Sequence, residues 1–214
     1  MATGLVASDH QVVIGTRDVK KTIARTEADR MGNPPFAKWH EEHPDVRLAT
    51  FAEAATDAAV VVNATSGSTS MEVLEQVGAS RLFDKPLVDL ANPLDFSRGM
   101  PPTLSVCNTD SLAEQIQRAY PETKVVKTLN TMNARVMTEP DRVPGDHNVF
   151  MAGDDEGGKA TVRAILRGLG WKDHNILDLG EITAARGLEM YLPLWLSLMQ
   201  NLRTPDFNIK VVLR

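Results

Sequence analysis

Short apolar runs recur along the chain at Gln11–Ile14, Val46–Leu48, Ala59–Asn63, Leu87–Leu90, Lys124–Thr128 and Asn148–Ala152. Each is too short for a helix and suits a strand. The stretches between most of them have helical composition. Strands alternating with helices predict an α/β fold with a mostly parallel sheet and helices on both faces. Ala-Val-Val-Val-Asn and Pro-Leu-Val-Asp-Leu are too apolar for a sheet with one wet face, so these runs belong at its centre. Asp154-Asp155-Glu156 precedes the pattern Lys159–Leu169, and Gly170 follows it. Acids at the first turn and glycine after the last predict one capped helix. A final long helix is predicted over Ile182–Leu202. It carries Leu188, Tyr191, Leu192, Leu194, Trp195, Leu196, Leu198 and Met199 on nearly every side, the pattern of a helix buried all round. In a chain of 214 residues a partner subunit is expected to cover one side, which predicts a homodimer through Ile182–Leu202 with Tyr191 and Trp195 as anchors.

The predicted strands end in small polar segments: Asn63-Ala64-Thr65-Ser66-Gly67, Ala91-Asn92-Pro93 and Leu129-Asn130-Thr131. These are carboxyl ends, where open α/β sheets bind ligands. Ala64, Thr65 and Ser66 let a ligand approach the backbone. Asn92-Pro93 and Asn130-Thr131 share the same two readings, a simple strand-to-helix turn or one wall of a common cleft, and their neighbouring positions favour the cleft.

Composition narrows the function without naming it. Hydrophobic residues make up 43% of the chain and the net charge is −5, which supports a sizeable core and argues against a nucleic-acid or anionic-membrane surface. The single cysteine, Cys107, excludes a disulfide framework and reads as a small packing residue. His40 and His43 lie in a polar run that reads as a solvated helix end, and no metal site is expected. No acid–base pair or nucleophile stands out, so no catalytic residue is assigned. Met1–Asp9 lack a basic start and a long apolar run, and the expected compartment is the cytoplasm, with no membrane partner.

The first strand carries the sharpest clue. It ends in Gly15-Thr16-Arg17-Asp18. In a dinucleotide-binding βαβ unit this position suits a second strand whose tip meets the adenosine ribose. An acid there would bind the ribose hydroxyls of NAD, whereas Thr16 with Arg17 fits a 2′-phosphate and points to NADP. Only Met1–Asp9 precede that strand, which leaves no room for a first strand and its Gly-x-Gly-x-x-Gly turn. Met1–Ser8 are expected to be a short helical remnant or disordered. The missing strand would sit between the strands at Gln11–Ile14 and Ala59–Asn63, so its absence exposes two edges or forces them to pair. Without the glycine turn the chain is expected to bind NADP weakly, because backbone N–H groups at that turn and the helix end behind it normally hold the pyrophosphate. Gly153 and Gly157-Gly158 offer no substitute by chain order.

Val13–Asp18, Val61–Thr65, Val88–Leu94, Ser111–Gln115, Lys124–Thr131 and Asp178–Trp195 together resemble the coenzyme-F420-dependent NADP oxidoreductase family, in the right order and over nearly all of the chain. The resemblance implies a Rossmann-type domain lacking its first strand over residues 1–152, and a C-terminal helical part over 153–214. It further implies a dimer, NADP as cofactor and F420, a deazaflavin, as co-substrate. By position it places Thr16 and Arg17 at the 2′-phosphate and Ala64, Thr65, Asn92 and Asn130 beside the nicotinamide. The alternative is a non-catalytic Rossmann-like dimeric scaffold. Hydride transfer between two bound cofactors needs proximity and orientation more than a protein acid, so the absence of a triad is compatible with the first reading.

Overall fold

The computed structural model describes residues 1–28 and 34–214. The chain opens with a short helix α1 (Ala2–Ala7), then β1 (Val13–Thr16), α2 (Val19–Ile23), α3 (Phe36–Glu42), β2 (Arg47–Thr50), α4 (Phe51–Thr56) and β3 (Val61–Asn63). Next come α5 (Ser70–Val77), α6 (Ala79–Leu82), β4 (Pro86–Asp89), a small hairpin of β5 (Leu94–Asp95) and β6 (Thr103–Leu104), α7 (Leu112–Ala119) and β7 (Lys124–Thr128). The last third holds α8 (Ala134–Thr138), β8 (Val149–Ala152), α9 (Glu156–Gly168), β9 (Ile176–Asp178), α10 (Ala185–Met190) and α11 (Leu192–Leu202).

The main sheet has five strands in the order β3-β4-β7-β8-β9. β3, β4 and β7 run parallel, β8 is antiparallel to β7, and β9 is parallel to β8. β1 and β2 form a separate parallel pair. The edges of β1 and β3 therefore stay unpaired with each other, one of the two outcomes expected of a sheet lacking its first strand. Helix α4 ties the two sheets together. Its cap is set by local sequence: Thr50 accepts from the Glu53 amide while Glu53 reaches back to the Thr50 amide, a complete capping box. Its Phe51 then packs beside Gly15 of β1 and into the core that contains Val61 of β3.

Alternation along the central strands divides the core. Leu87 and Val125 face Leu74, Val77, Leu82, Ala113 and Ile116 of α5, α6 and α7. Val88 and Val126 face Val136, Val162 and Leu166 of α8 and α9. Met1 and Leu5 of α1 pack on this second core, and Gly4 lies against Thr138 and Leu169. The helical form of the first residues agrees with expectation. Helix α9 is capped by Asp155, whose carboxylate accepts from the Gly158 amide, and Gly170 follows it at φ +97°.

Four expectations are corrected. The segment 153–214 is not purely helical: β9 joins the sheet and α9 covers it. The helix predicted over Ile182–Leu202 is a 3-10 turn at Ile182–Ala184 followed by α10 and α11, with a break at Tyr191 just before Pro193. Proline cannot donate the backbone bond that would continue α10. That helix is also not buried all round. Leu194 and Leu202 are 56% and 55% exposed, whereas Trp195 is buried and stacks on Phe207 of the same chain, with ring centroids 5.5 Å apart. Cys107 is exposed rather than packed. His40 and His43 do end a helix: they bond to the Val46 and Trp39 carbonyl oxygens.

Two measurements check this account. Leu87→Ala deletes a fully buried side chain at the middle of the sheet and should cost about 2–5 kcal/mol. The urea midpoint should fall with the slope unchanged. At the start of α7, Asp110 accepts two bonds from the Arg118 guanidinium at 3.0 and 2.7 Å, which lowers its carboxyl from an ordinary 3.8 to about 2. A depressed carboxylate stabilises above its unfolded value and loses that contribution as pH falls through its folded one. Asp110→Asn should therefore flatten the pH dependence of stability between about pH 4 and pH 2, read by acid titration of circular dichroism.

Candidate functional site

The carboxyl ends of β3, β4 and β7 carry a connected polar cluster. Asn63 closes β3 and its amide nitrogen donates to Asp89 Oδ1 of β4 at 2.8 Å and to Ser70 Oγ at 3.1 Å. Thr65 is turned inward, donating its hydroxyl to Asn63 Oδ1 at 2.7 Å. Ser66 and Ala64 remain exposed at the tip. Gly67 closes this loop against the next one. A Cβ on Gly67 would stand 2.0 Å from the Asn92 carbonyl oxygen and 2.9 Å from Pro93 Cα, so only glycine permits the contact.

Asn92 and Asn130 bond reciprocally. The Asn92 amide donates to the Asn130 carbonyl oxygen, and the Asn130 amide donates to Asn92 Oδ1, both at 2.9 Å. Asn130 Nδ2 also donates to the Leu188 carbonyl oxygen of α10 at 3.0 Å. That leaves Asn130 Oδ1 buried without a partner among the described residues, and Thr131 Oγ1 is in the same state. Buried polar atoms are normally bonded, so two adjacent orphans at strand tips make this a candidate place for a ligand donor. The turn that aims them is strained. Leu129 sits at φ +61°, in the left-handed region that bulky residues avoid.

Beneath the tips lies a charged group. Lys127 of β7 is fully buried. Its ammonium donates to Asp89 Oδ2 at 2.9 Å, to Glu189 Oε1 of α10 at 2.9 Å, and to the Ala91 carbonyl oxygen. Burial alone would push Lys127 down, but the charges of Asp89 and Glu189 outweigh it and the net shift is upward, so it stays charged. Glu189 is pushed up by burial, with the Lys127 charge opposing. Glu189 also accepts from the Leu112 and Ala113 amides at 2.9 and 3.2 Å, two of the free N–H groups at the start of α7. A second pair, Arg186 with Glu114 at 2.5 and 2.9 Å, joins the same two helices.

Thr16 and Arg17 stand at the tip of β1. Thr16 Oγ1 lies 2.7 Å from Thr22 Oγ1, and the exposed Arg17 Nε is 3.8 Å from Glu72 Oε1 in the first turn of α5. Since α5 follows the β3 tip, Arg17 shares an edge with Ala64–Gly67, which in turn touches Asn92-Pro93 and through it Asn130. Ala64–Gly67, Asn92-Pro93 and Asn130-Thr131 thus share one edge, and Arg17, next to Thr16, approaches it through Glu72. Gly153 and Gly158 do not share it: they pack on Val125 and Lys124 at the opposite edge, because β8 runs antiparallel.

Sequence reasoning placed Asn63 in the strand tip but missed Asp89, Lys127 and Glu189. A signal was present. A lysine and an aspartate within strands otherwise apolar enough to be central must be paired, since an isolated charge cannot be buried there.

Residues 1–93 match the family model described as NADP oxidoreductase, coenzyme F420-dependent. A crystal structure from Arthrobacter sp. FB24, of a protein named for F420-dependent NADP reduction, is 53% identical. The match covers 100% of this chain and 93% of that one, with a TM-score of 0.93. Metalloreductase STEAP3 of Rattus norvegicus is 28% identical over 199 residues, 91% of this chain, which spans only 35% of that curated relative's length. An imine reductase from Myxococcus stipitatus, solved with NAD+, shares the fold at 17% identity and a TM-score of 0.55, over 95% of this chain and 60% of that one. With that fold and an identity of 53% over its full length to such a reductase, the chain belongs to the family of F420-dependent NADP oxidoreductases.

Proposed function

We propose that this protein moves hydride between NADP and a deazaflavin of the F420 type, with both held along the carboxyl edge. The observation that carries the reading is the pair of orphaned acceptors, Asn130 Oδ1 and Thr131 Oγ1, beside the Gly67–Asn92 contact. They fit the amide donors of a nicotinamide carboxamide. Thr16 and Arg17 would hold the 2′-phosphate, and Ala64, Thr65, Ser66, Asn92 and Pro93 would line the path between the two ends. NADP supplies the hydride chemistry when bound. The residues' own part is to bind, orient and exclude water, which suits a site without a general acid. In this reading residues 1–152 hold the dinucleotide, while 153–214 complete the edge and form the subunit contact.

We further propose a cytoplasmic homodimer through residues 182–202. Among the described residues no helix is long and apolar enough to cross a membrane. Trp195 is already used within the chain, so the exposed Leu194 and Leu202 replace it as anchors.

Mixing the protein with NADPH and oxidised F420 should bleach the deazaflavin absorbance; no transfer in either direction would refute the acceptor. Arg17→Ala should raise the Michaelis constant for NADPH about tenfold or more, since charge-assisted bonds contribute about 1.5–3 kcal/mol each. The value for NADH should barely move, and equal losses with both would remove Arg17 from the 2′-phosphate. Light scattering at micromolar concentration should give a dimer, and Leu194→Glu with Leu202→Glu should give a monomer. A wild-type monomer would refute the interface.

A further inference from the structure

We infer that the buried Asp89–Lys127–Glu189 triad is a positioning device: it holds the Asn130 side chain so that an oxygen, and not an amide nitrogen, faces the nicotinamide end. The inference rests on the function proposed above. Lys127 is the positioning residue and touches no ligand itself.

The orientation of a primary amide is set by what its two ends meet. Asn130 Nδ2 is held by two acceptors, Asn92 Oδ1 and the Leu188 carbonyl oxygen. Both acceptors are placed by the triad. Ala91 precedes Asn92, and the backbone is held on both sides of it: its amide donates to Asp89 Oδ1 at 3.2 Å and its carbonyl accepts from Lys127. Leu188 precedes Glu189, whose carboxylate is fixed by Lys127 and by the Leu112 and Ala113 amides. Lys127 therefore fixes the loop after β4 and helix α10 at once, from one atom. With both acceptors in place, the Asn130 amide nitrogen is spent and Oδ1 is left free. If α10 moves, Nδ2 loses one acceptor and the amide can turn over. The free end would then be a donor, which does not pair with the NH2 of a nicotinamide carboxamide. The triad thus sets a preference for a carboxamide over groups that only accept.

The test uses three ligands of the wild-type chain, Glu189→Gln and Lys127→Met. NADP carries the carboxamide. Its 3-acetylpyridine analogue has a methyl ketone in that place and lacks the NH2. Adenosine 2′,5′-bisphosphate reaches only the Arg17 end. Binding is measured by calorimetry, with a thermal melt of each protein. Glu189→Gln keeps the shape of the side chain and one acceptor oxygen, so it keeps the test open if Lys127→Met does not fold.

The wild type should prefer NADP to the acetyl analogue by about tenfold or more. In each folded variant NADP should weaken until it matches the analogue, while the analogue and the bisphosphate change less than twofold. A triad that only supports the fold would weaken all three ligands together, and that result would overturn the inference. So would an unchanged preference for NADP in a folded Glu189→Gln, or a wild type that binds NADP and the analogue equally. The last two leave the proposed function standing. A wild type that binds none of the three even at millimolar ligand, where weak binding would still register, overturns that function, and this inference with it.

Discussion

One ammonium group organises the upper half of this molecule. Lys127 has three N–H directions, and each meets an acceptor from a different part of the chain: Asp89 on β4, the Ala91 backbone, and Glu189 on α10. A buried ion group of this kind does not outdo well-packed apolar side chains of the same volume. Breaking it by removing one partner is another matter and costs about 3–5 kcal/mol, because the remaining charges stay buried without compensation. What the triad supplies is direction. Apolar packing would accept small shifts of α10, whereas three bonds to one nitrogen do not.

The consequence is a division of labour along the edge. The end with Asn92 and Asn130 rests on the five-stranded sheet and is braced by the triad. The end with Thr16 and Arg17 rests on the separate β1–β2 pair. Backbone pairing does not connect the two. Their relative placement depends on α4, through Phe51 between Gly15 and the core around Val61, and on the Arg17–Glu72 pair. The latter is exposed at both ends and contributes little. The two ends of the edge are therefore held with unequal stiffness, and under the proposed function the stiffer one is where orientation matters for hydride transfer.

Much of this was legible in the sequence, and the reasons differ by element. Apolar runs located β1, β2, β3, β4, β7 and β8 to within about two residues, and for β4 and β7 the reason is that a central parallel strand must be apolar on both faces. Small polar residues after β3, β4 and β7 marked the edge, because only they let chain segments and ligands approach closely. β5, β6 and β9 were not legible. They are two or three residues long and carry no alternation. The break at Tyr191 was masked by continuous apolarity on both sides of Pro193. The triad was hidden for a different reason. Its members are far apart in the chain, and the partner that completes it, Glu189, lies in a helix whose pattern speaks only of burial.

The strain at Leu129 fits the same logic. A left-handed backbone costs an ordinary residue about 1–2 kcal/mol, and such a cost persists only where the surroundings over-determine it. Here they do. The Leu129 side chain is buried in the core with Val88, Val126 and Val136, so its direction is fixed from below. On one side Thr128 donates its hydroxyl to the Phe150 carbonyl oxygen at 2.6 Å. On the other, Asn130 is locked to Asn92 and Leu188. The chain must turn sharply between two fixed neighbours while keeping a leucine in the core, and a positive φ is the way to do both. A glycine at 129 would relieve the backbone but leave a hole beneath Asn130 and free the turn to move. The strained leucine serves the edge better, because the core anchors the residue just before the one whose side-chain orientation the triad controls.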